Sequence, residues 1–189
     1  ATGFSMNVQA IAEDPMDGPT AQFLSRQAAK LGVYLVGGFV TRGEDGMGRN
    51  VLAVFGPDGK RVADYTKIHP FSVGSESQHY VGGENICKFA WNGATVSPFI
   101  CYDLRFPEVF RAGMRGGAEI LTVIANWPKP RIEHWVTLLR ARAIENQAYV
   151  AGINRFSRIE ELSLDLLQAH LSVNLIGPML VTQAALPHL

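Results

Sequence analysis

Short apolar runs typical of buried strands alternate with longer amphipathic stretches along this 189-residue chain. Residues 33–40 and 94–100 are largely apolar and include β-branched side chains, which favours strands. Residues 20–31 and 132–146 carry apolar side chains at helical spacing, and Gly32 favours the end of the first of these helices. Because strands and helices alternate, the sequence predicts the α/β class or a layered α/β sandwich.

A predicted hairpin and the long loop that follows it carry several polar residues. Residues 57–60 read Pro-Asp-Gly-Lys, which is a strong turn signal between two strand-like runs. The hairpin ends just before Lys67 and His69. Residues 70–85 form a predicted loop that contains Glu76, and loops of this length in compact domains are often functional.

Charge and cysteine content argue against several classes of partner and site. The chain has 17 Lys and Arg and 17 Asp and Glu, and this balance disfavours nucleic acid or an anionic membrane as the main partner. No apolar run reaches the ~18 residues of a transmembrane helix. The two cysteines, Cys87 and Cys101, have no Cys/His cluster near them in sequence, which disfavours a disulfide framework or a zinc site. Two thiols fit a cytoplasmic protein.

Cys101 lies where a predicted buried strand changes into a turn and then a helix. Such a turn exposes a side chain and leaves the backbone N–H of Tyr102 free to help bind an oxyanion. A thiol becomes a useful nucleophile when a base, a cation or a helix N-terminus favours its thiolate. The competing interpretation is a buried cysteine that acts only as a small hydrophobic residue.

Lys67 and Glu76 are the charged residues that could serve such a thiol. Lys67 follows a strand end, and near Cys101 it could stabilise both thiolate and oxyanion. The competing interpretations are a solvated lysine and an exposed acid in a loop. The pattern of these residues alone leaves both interpretations open.

Four segments in order carry a resemblance to a known family. They are residues 65–71 (YTKIHPF), 101–108 (CYDLRFPE), 125–128 (ANWP) and 141–147 (ARAIENQ). Together they resemble the nitrilase superfamily of carbon-nitrogen hydrolases. The omega-amidase-like branch, whose members act on the terminal amide of 2-oxo dicarboxylic acid monoamides, is the most similar, and residues 2–7 (TGFSMN) resemble it too. The resemblance implies an α-β-β-α layered sandwich of the nitrilase type, truncated at both ends.

The resemblance also implies a catalytic group. Cys101 is then the nucleophile, Lys67 supports the thiolate and the oxyanion, and Glu76 corresponds to the family's second, structural glutamate. The Tyr102 backbone N–H is the second oxyanion donor. The implied reaction is amide hydrolysis with ammonia release through a cysteine thioester, and it needs neither a metal nor an organic cofactor.

Three further residues are predicted to contact a small amide substrate. Arg105 and Arg131 could bind a substrate carboxylate with two hydrogen bonds, and Trp127 belongs to the third matching segment. The simpler interpretation of each arginine is structural or surface-exposed. The family commonly forms dimers or larger assemblies, so a homo-oligomer is a possible partner.

The family pattern is incomplete at the start of the sequence. Its general-base glutamate belongs to a Pro-Glu-aromatic motif that precedes the Thr-Gly-Phe segment, and these 189 residues begin at Ala1. Glu13 lies in a turn before the first helix, whose predicted cap is Asp17 or Thr20, and it lacks the motif. We therefore expect activity of the chain as written to be impaired.

The pattern also changes near residue 155. Residues 1–155 are predicted to be a partial carbon-nitrogen hydrolase domain and 156–189 a helical segment. Residues 171–189 resemble part of a short-chain dehydrogenase, in which Asn174 matches a conserved asparagine position of that family. No nucleotide-binding fingerprint precedes this segment and no Tyr-x-x-x-Lys follows, so dehydrogenase activity is not predicted.

Three functions remain open from the sequence. The first is an amidase-type hydrolase. The second is a non-catalytic remnant or chimeric fragment that keeps the fold, and the third is a nitrile or N-carbamoyl hydrolase of the same superfamily.

Overall fold

A computed structural model describes residues 5–72 and 75–154. In chain order the helices and strands are α1 (Val8–Ile11), α2 (Pro19–Leu31), β1 (Leu35–Arg42), β2 (Gly48–Phe55), β3 (Arg61–Thr66), α3 (Glu76–His79), β4 (Phe89–Trp91), β5 (Ala94–Ile100), α4 (Pro107–Arg115), β6 (Ile120–Ala125), α5 (Ile132–Asn146) and β7 (Tyr149–Asn154). Short 3₁₀ helices at Cys101–Arg105 and Lys129–Arg131 precede α4 and α5.

The first sheet is an antiparallel meander in the order β1-β2-β3. Side chains along β2 alternate between its two faces, as the period of a strand requires. Leu52 and Val54 belong to the main core, whereas Val51, Ala53 and Phe55 pack in a second cluster with α2. Both faces of this sheet are therefore covered.

The second sheet has the order β4-β5-β6-β7. β4 pairs with β5 in antiparallel orientation, and β5, β6 and β7 are parallel. Helices α4 and α5 are the crossover connections that parallel neighbours need. The parallel order places the carboxyl ends of β5, β6 and β7 at one edge of the molecule.

The four layers are α2, the first sheet, the second sheet, and α4 with α5. Two adjacent glycines of β1, Gly37 and Gly38, lie against the layers on its opposite faces. A Cβ at Gly37 would lie 2.5 Å from Leu24 of α2, and one at Gly38 would lie 3.1 Å from Ile124 of the second sheet. The main core contains Leu52 of one sheet together with residues of β5, β6 and both covering helices. The predicted α-β-β-α layered sandwich is confirmed.

Local predictions were right where the pattern was regular. The strand at 94–100 and the helix at 132–146 are confirmed, and the strand predicted at 33–40 begins two residues later. Gly32 ends α2 with a φ of 65°, a left-handed conformation that glycine adopts without strain. The predicted loop over 70–85 contains the one-turn helix α3.

The predicted start of α2 was wrong. Its N-cap is Gly18, and neither Asp17 nor Thr20 caps it with a side chain. Instead the Glu13 carboxylate accepts hydrogen bonds from the Thr20 backbone N–H at 2.8 Å and from the Thr20 hydroxyl at 2.6 Å. Glu13 thus satisfies an orphan donor of the first turn from outside the helix.

The predicted helical segment 156–189 lies outside the described residues. Across residues 5–72 and 75–154, none of the helices is both long and apolar enough to cross a bilayer.

Burial in the main core predicts a large difference between two leucines. Leu52 is fully buried between the sheets, whereas Leu31 at the end of α2 is 60% exposed. We expect Leu52→Ala to lower the free energy of unfolding by about 2–5 kcal/mol, since it removes packed atoms and leaves a cavity. Leu31→Ala is the matched control, with an expected change within about 0.5 kcal/mol. Urea denaturation measures both, and equal losses would contradict the proposed core.

Candidate active site

Cys101 begins a tight turn at the carboxyl end of β5. Its backbone has a φ of 49°, which lies in the left-handed region that non-glycine residues rarely adopt. The 3₁₀ helix Cys101–Arg105 then connects the strand to α4. Strained residues of this kind persist only where their surroundings hold them, and they concentrate at functional sites. The predicted strand-to-helix turn is confirmed, with one 3₁₀ segment inserted.

Lys67 and Glu76 form a buried ion pair. Their side chains are 2% and 1% exposed, and Lys67 Nζ donates to Glu76 Oε2 at 2.5 Å. Glu76 also accepts from Asn50 Nδ2 at 3.1 Å and from the Phe71 backbone N–H at 2.5 Å. Charges so deeply buried require partners of this kind. The competing interpretations, a solvated lysine and an exposed acid in a loop, are therefore wrong.

Two cavities meet at these residues. The first has a volume of about 300 Å³ and lies between the sheets, where β1 faces the ends of β6 and β7. The second has a volume of about 220 Å³. Lys67, Cys101 and Asn126 line both cavities. The thiol and the ammonium group thus lie on a wall that the two cavities share.

The surroundings of the Cys101 thiol raise its pKa above the ordinary value for cysteine. Burial is the main cause, because it disfavours the charged thiolate. The Lys67 charge and a backbone hydrogen bond from Asn126 lower the pKa, while the negative charges of Glu76 and Asp103 raise it. The resting residue is consequently a thiol, and a base must accept its proton before it can attack.

The second cavity contains the predicted substrate-binding residues. Tyr102, Arg105, Trp127 and Arg131 all line it. The Arg105 guanidinium lies 5.1 Å from the Trp127 ring centroid, and the Trp127 indole N–H donates to the Arg131 carbonyl oxygen at 2.9 Å. Within the described part of the chain, neither arginine forms an ion pair with a carboxylate. Both therefore give the cavity positive charge.

Sequence reasoning did not identify several polar residues that contact the site. Asn50 donates to Glu76, and the Asn126 backbone donates to Cys101. Asn154 holds the backbone of Trp127, since its Oδ1 accepts from the Trp127 N–H at 2.6 Å and its Nδ2 donates to the Trp127 carbonyl at 3.4 Å. Asn126 belongs to a segment that resembles the family, whereas Asn50 and Asn154 lie in strands and carried no signal.

Carboxylates are scarce around the thiol. Glu76 is the one carboxylate that lines either cavity among residues 5–72 and 75–154, and it is engaged by Lys67. The Glu13 carboxylate is hydrogen-bonded to Thr20 of α2, and Glu13 lines neither cavity. In the same ranges, no three His, Cys, Asp or Glu side chains converge as metal ligands.

Comparison with known sequences agrees with this geometry. A sequence model of the carbon-nitrogen hydrolase family matches residues 2–188. The chain belongs to the carbon-nitrogen hydrolase family. It is 37% identical over 155 residues to the 2-oxoglutaramate amidase of Bacillus subtilis, covering 81% of this chain and 59% of that protein. It is 38% identical over 155 residues to omega-amidase YafV of Yersinia enterocolitica, covering 82% and 58% respectively.

Solved structures lead to the same family. A CN-hydrolase superfamily protein of Xanthomonas campestris, solved with an arsenic adduct in its active site, has a TM-score of 0.73 and 40% identity, covering 82% of this chain and 60% of that one. Nit3 of Saccharomyces cerevisiae, a nitrilase superfamily member, has a TM-score of 0.74 and 27% identity, covering 84% and 60% respectively. The predicted resemblance to the omega-amidase-like branch of the nitrilase superfamily is confirmed.

The matches also show how much of its relatives the chain spans, and they bear on its predicted division at residue 155. The chain spans about 60% of the length of the relatives named above. The predicted dehydrogenase-like segment, including Asn174, lies outside the described residues, and the match to the carbon-nitrogen hydrolase family model extends to residue 188. The division at residue 155 stays a prediction.

The charges around Cys101 predict how its alkylation depends on pH. Because burial raises the thiol pKa, the rate of Cys101 alkylation by iodoacetamide should rise at higher pH than that of an exposed cysteine. Removing the Lys67 ammonium should move this midpoint higher still, because Lys67 lowers the pKa by more than Glu76 raises it.

The double variant Lys67→Met/Glu76→Gln tests this without leaving one buried charge unpaired. Lys60→Met is the control, since the Lys60 side chain is 82% exposed. Mass spectrometry of the Cys101 peptide measures the rate, and a midpoint that fell in the double variant would contradict the assigned electrostatics.

Proposed function

We propose that this chain carries the site of an amidase-type hydrolase, which releases ammonia from a small carboxylate-bearing amide through a thioester on Cys101. The observation that carries the proposal is the buried Lys67–Glu76 pair beside Cys101, on the wall shared by two cavities. A buried ammonium group next to a strained, thiol-bearing turn is suited to stabilise developing negative charge.

The proposed reaction has two halves. A base takes the thiol proton of Cys101, and the sulfur attacks the amide carbon to form a C–S bond. The Lys67 ammonium group and the Tyr102 backbone N–H stabilise the oxyanion. The C–N bond breaks, and the leaving nitrogen takes a proton and departs as ammonia. Water then attacks the thioester, and the carboxylic acid leaves while the thiol is restored.

The second cavity supports a substrate with a free carboxylate. Arg105 and Arg131 line it, and neither is paired with an acid within the described ranges. Guanidinium groups bind carboxylates with paired, charge-assisted hydrogen bonds. The names of the relatives in Bacillus and Yersinia, 2-oxoglutaramate amidase and omega-amidase, agree with such a substrate. We therefore propose the monoamide of a dicarboxylic acid.

The proposed reaction needs a base for the thiol proton. Burial disfavours the thiolate, and Glu76, the one carboxylate that lines either cavity among residues 5–72 and 75–154, is bound to Lys67. We propose that a glutamate of the family's Pro-Glu-aromatic motif supplies the base. A cytoplasmic location and a homo-oligomeric state remain predictions.

Ammonia release tests the function. The chain is assayed as written and with an added upstream Pro-Glu segment, using 2-oxoglutaramate as substrate. We expect faster release from the second than from the first, and none from either after Cys101→Ala. Release that persists in Cys101→Ala, or release from a nitrile but not from the amide, would contradict the proposal.

Substrate charge provides a separate prediction. Arg131→Gln and Arg105→Gln should each lower kcat/KM for 2-oxoglutaramate by about tenfold or more, since a charge-assisted pair contributes about 1.5–3 kcal/mol. They should leave kcat/KM for an uncharged amide of similar length nearly unchanged. Arg111→Gln, on the exposed face of α4, is the matched control. Equal losses for both substrates would show that these arginines do not recognise the carboxylate.

A further inference from the structure

We propose that Asp103 and His69 are positioning residues, which hold the segment of Lys67 and the segment of Cys101 in register through one buried carboxylate. This inference deepens the proposed function and rests on it. Neither residue lines the two cavities, so neither is assigned a contact with substrate.

The Asp103 carboxylate is fully buried and accepts from four donors. Its Oδ2 accepts from the Tyr65 hydroxyl at 2.8 Å and from the Ile100 backbone N–H at 3.2 Å. Its Oδ1 is 2.9 Å from both the backbone nitrogen and the Nδ1 atom of His69. A carboxylate only accepts, so His69 Nδ1 carries the proton.

The positions of these partners along the chain are informative. Tyr65 and His69 lie two residues before and two residues after Lys67, so Asp103 holds both flanks of the lysine. Asp103 itself follows Cys101 by two residues and binds the N–H of Ile100, which directly precedes the cysteine. The Asp103 carboxylate thus connects the residues that flank Lys67 in sequence to the turn that contains Cys101.

The His69 ring is fixed on a second side. It stacks on Phe106 with a centroid distance of 3.7 Å and an interplanar angle of 3°. Phe106 ends the same turn that begins at Cys101. The imidazole therefore contacts the cysteine turn through both a hydrogen bond and a ring face, while its own backbone continues from Lys67.

Asp103 does not activate the Cys101 thiol through its charge. Its negative charge raises the pKa of Cys101 and so opposes the thiolate. It also contributes to the raised pKa of Tyr65, after burial, so the phenol stays a donor. A carboxylate that disfavours the thiolate yet binds both segments serves the site through geometry. Small displacements between reacting groups cost large factors in rate, which gives such a contact functional weight.

Turnover of 2-oxoglutaramate by the full-length protein tests the proposal directly. Asp103→Asn should lower kcat by about tenfold or more with little change in KM, because misplaced reacting groups slow the chemical step. It should also raise the pH midpoint of Cys101 alkylation, because a displaced Lys67 no longer lowers the thiol pKa, and Lys67 lowers that pKa by more than Asp103 raises it. A purely structural defect would lower the folded fraction without raising that midpoint in the folded molecules. Unchanged kcat in a folded Asp103→Asn variant would overturn the proposal.

Milder variants keep the test valid if Asp103→Asn fails to fold. Tyr65→Phe removes one hydroxyl, and His69→Phe keeps a ring to stack on Phe106 but removes the Nδ1–H. Each should reduce kcat by about threefold to tenfold. Tyr149→Phe is the control, since Tyr149 is 52% exposed, and it should keep full activity. Full activity in both test variants would overturn the proposal.

A double-mutant cycle on the chain as written separates this inference from the proposed function. Lys67→Met/Glu76→Gln should slow Cys101 alkylation near pH 8 in the parent chain. The same change should have a much smaller effect in the His69→Phe background, because the lysine is no longer held near the thiol. Equal effects in both backgrounds would overturn the inference. Failure of the proposed function alone would leave this coupling intact while abolishing ammonia release.

Discussion

The buried ion pair between Lys67 and Glu76 is the interaction on which the rest of the site depends. Removing two charges from water is costly, and their attraction offsets that cost only when further hydrogen bonds satisfy the carboxylate. Asn50 and the Phe71 backbone N–H supply those bonds. Glu76 begins the one-turn helix α3, and its bond from Asn50 of β2 connects that helix to the first sheet. The partners of Glu76 thus fix the ammonium end of Lys67, while the bonds of Asp103 to Tyr65 and His69 hold the residues on either side of it.

The layered fold brings the other components to this pair. Cys101 follows β5, and Asn126 follows the parallel neighbour β6, so both lie at carboxyl strand ends, where open α/β sheets commonly bind ligands. Lys67 follows β3 of the facing sheet. Asp103 then connects the two sheets at the level of the thiol. The site thus lies where strand ends of the two sheets meet, and the buried Asp103 carboxylate is hydrogen-bonded to residues of both sheets.

Local pattern predicted the helices and strands well, and strand ends pointed to Cys101 and Lys67. It could not predict the burial of Glu76, because that depends on Asn50, which lies 26 residues away in sequence. The start of α2 was missed for the same reason, since its donor is satisfied by Glu13 from outside the helix. Motifs indicate which residues meet, whereas tertiary hydrogen bonds determine which of them lose contact with water.

Acylation by an activated ester tests the central claim most directly. A nitrophenyl ester of a dicarboxylic acid needs no proton for its leaving group, so a thiol held beside Lys67 should acquire one acyl group even when turnover is slow. Peptide mass spectrometry then locates the acyl group. The account predicts acylation at Cys101, little at Cys87, and the same low level at Cys87 in Cys101→Ala. Equal acylation of the two cysteines would contradict it.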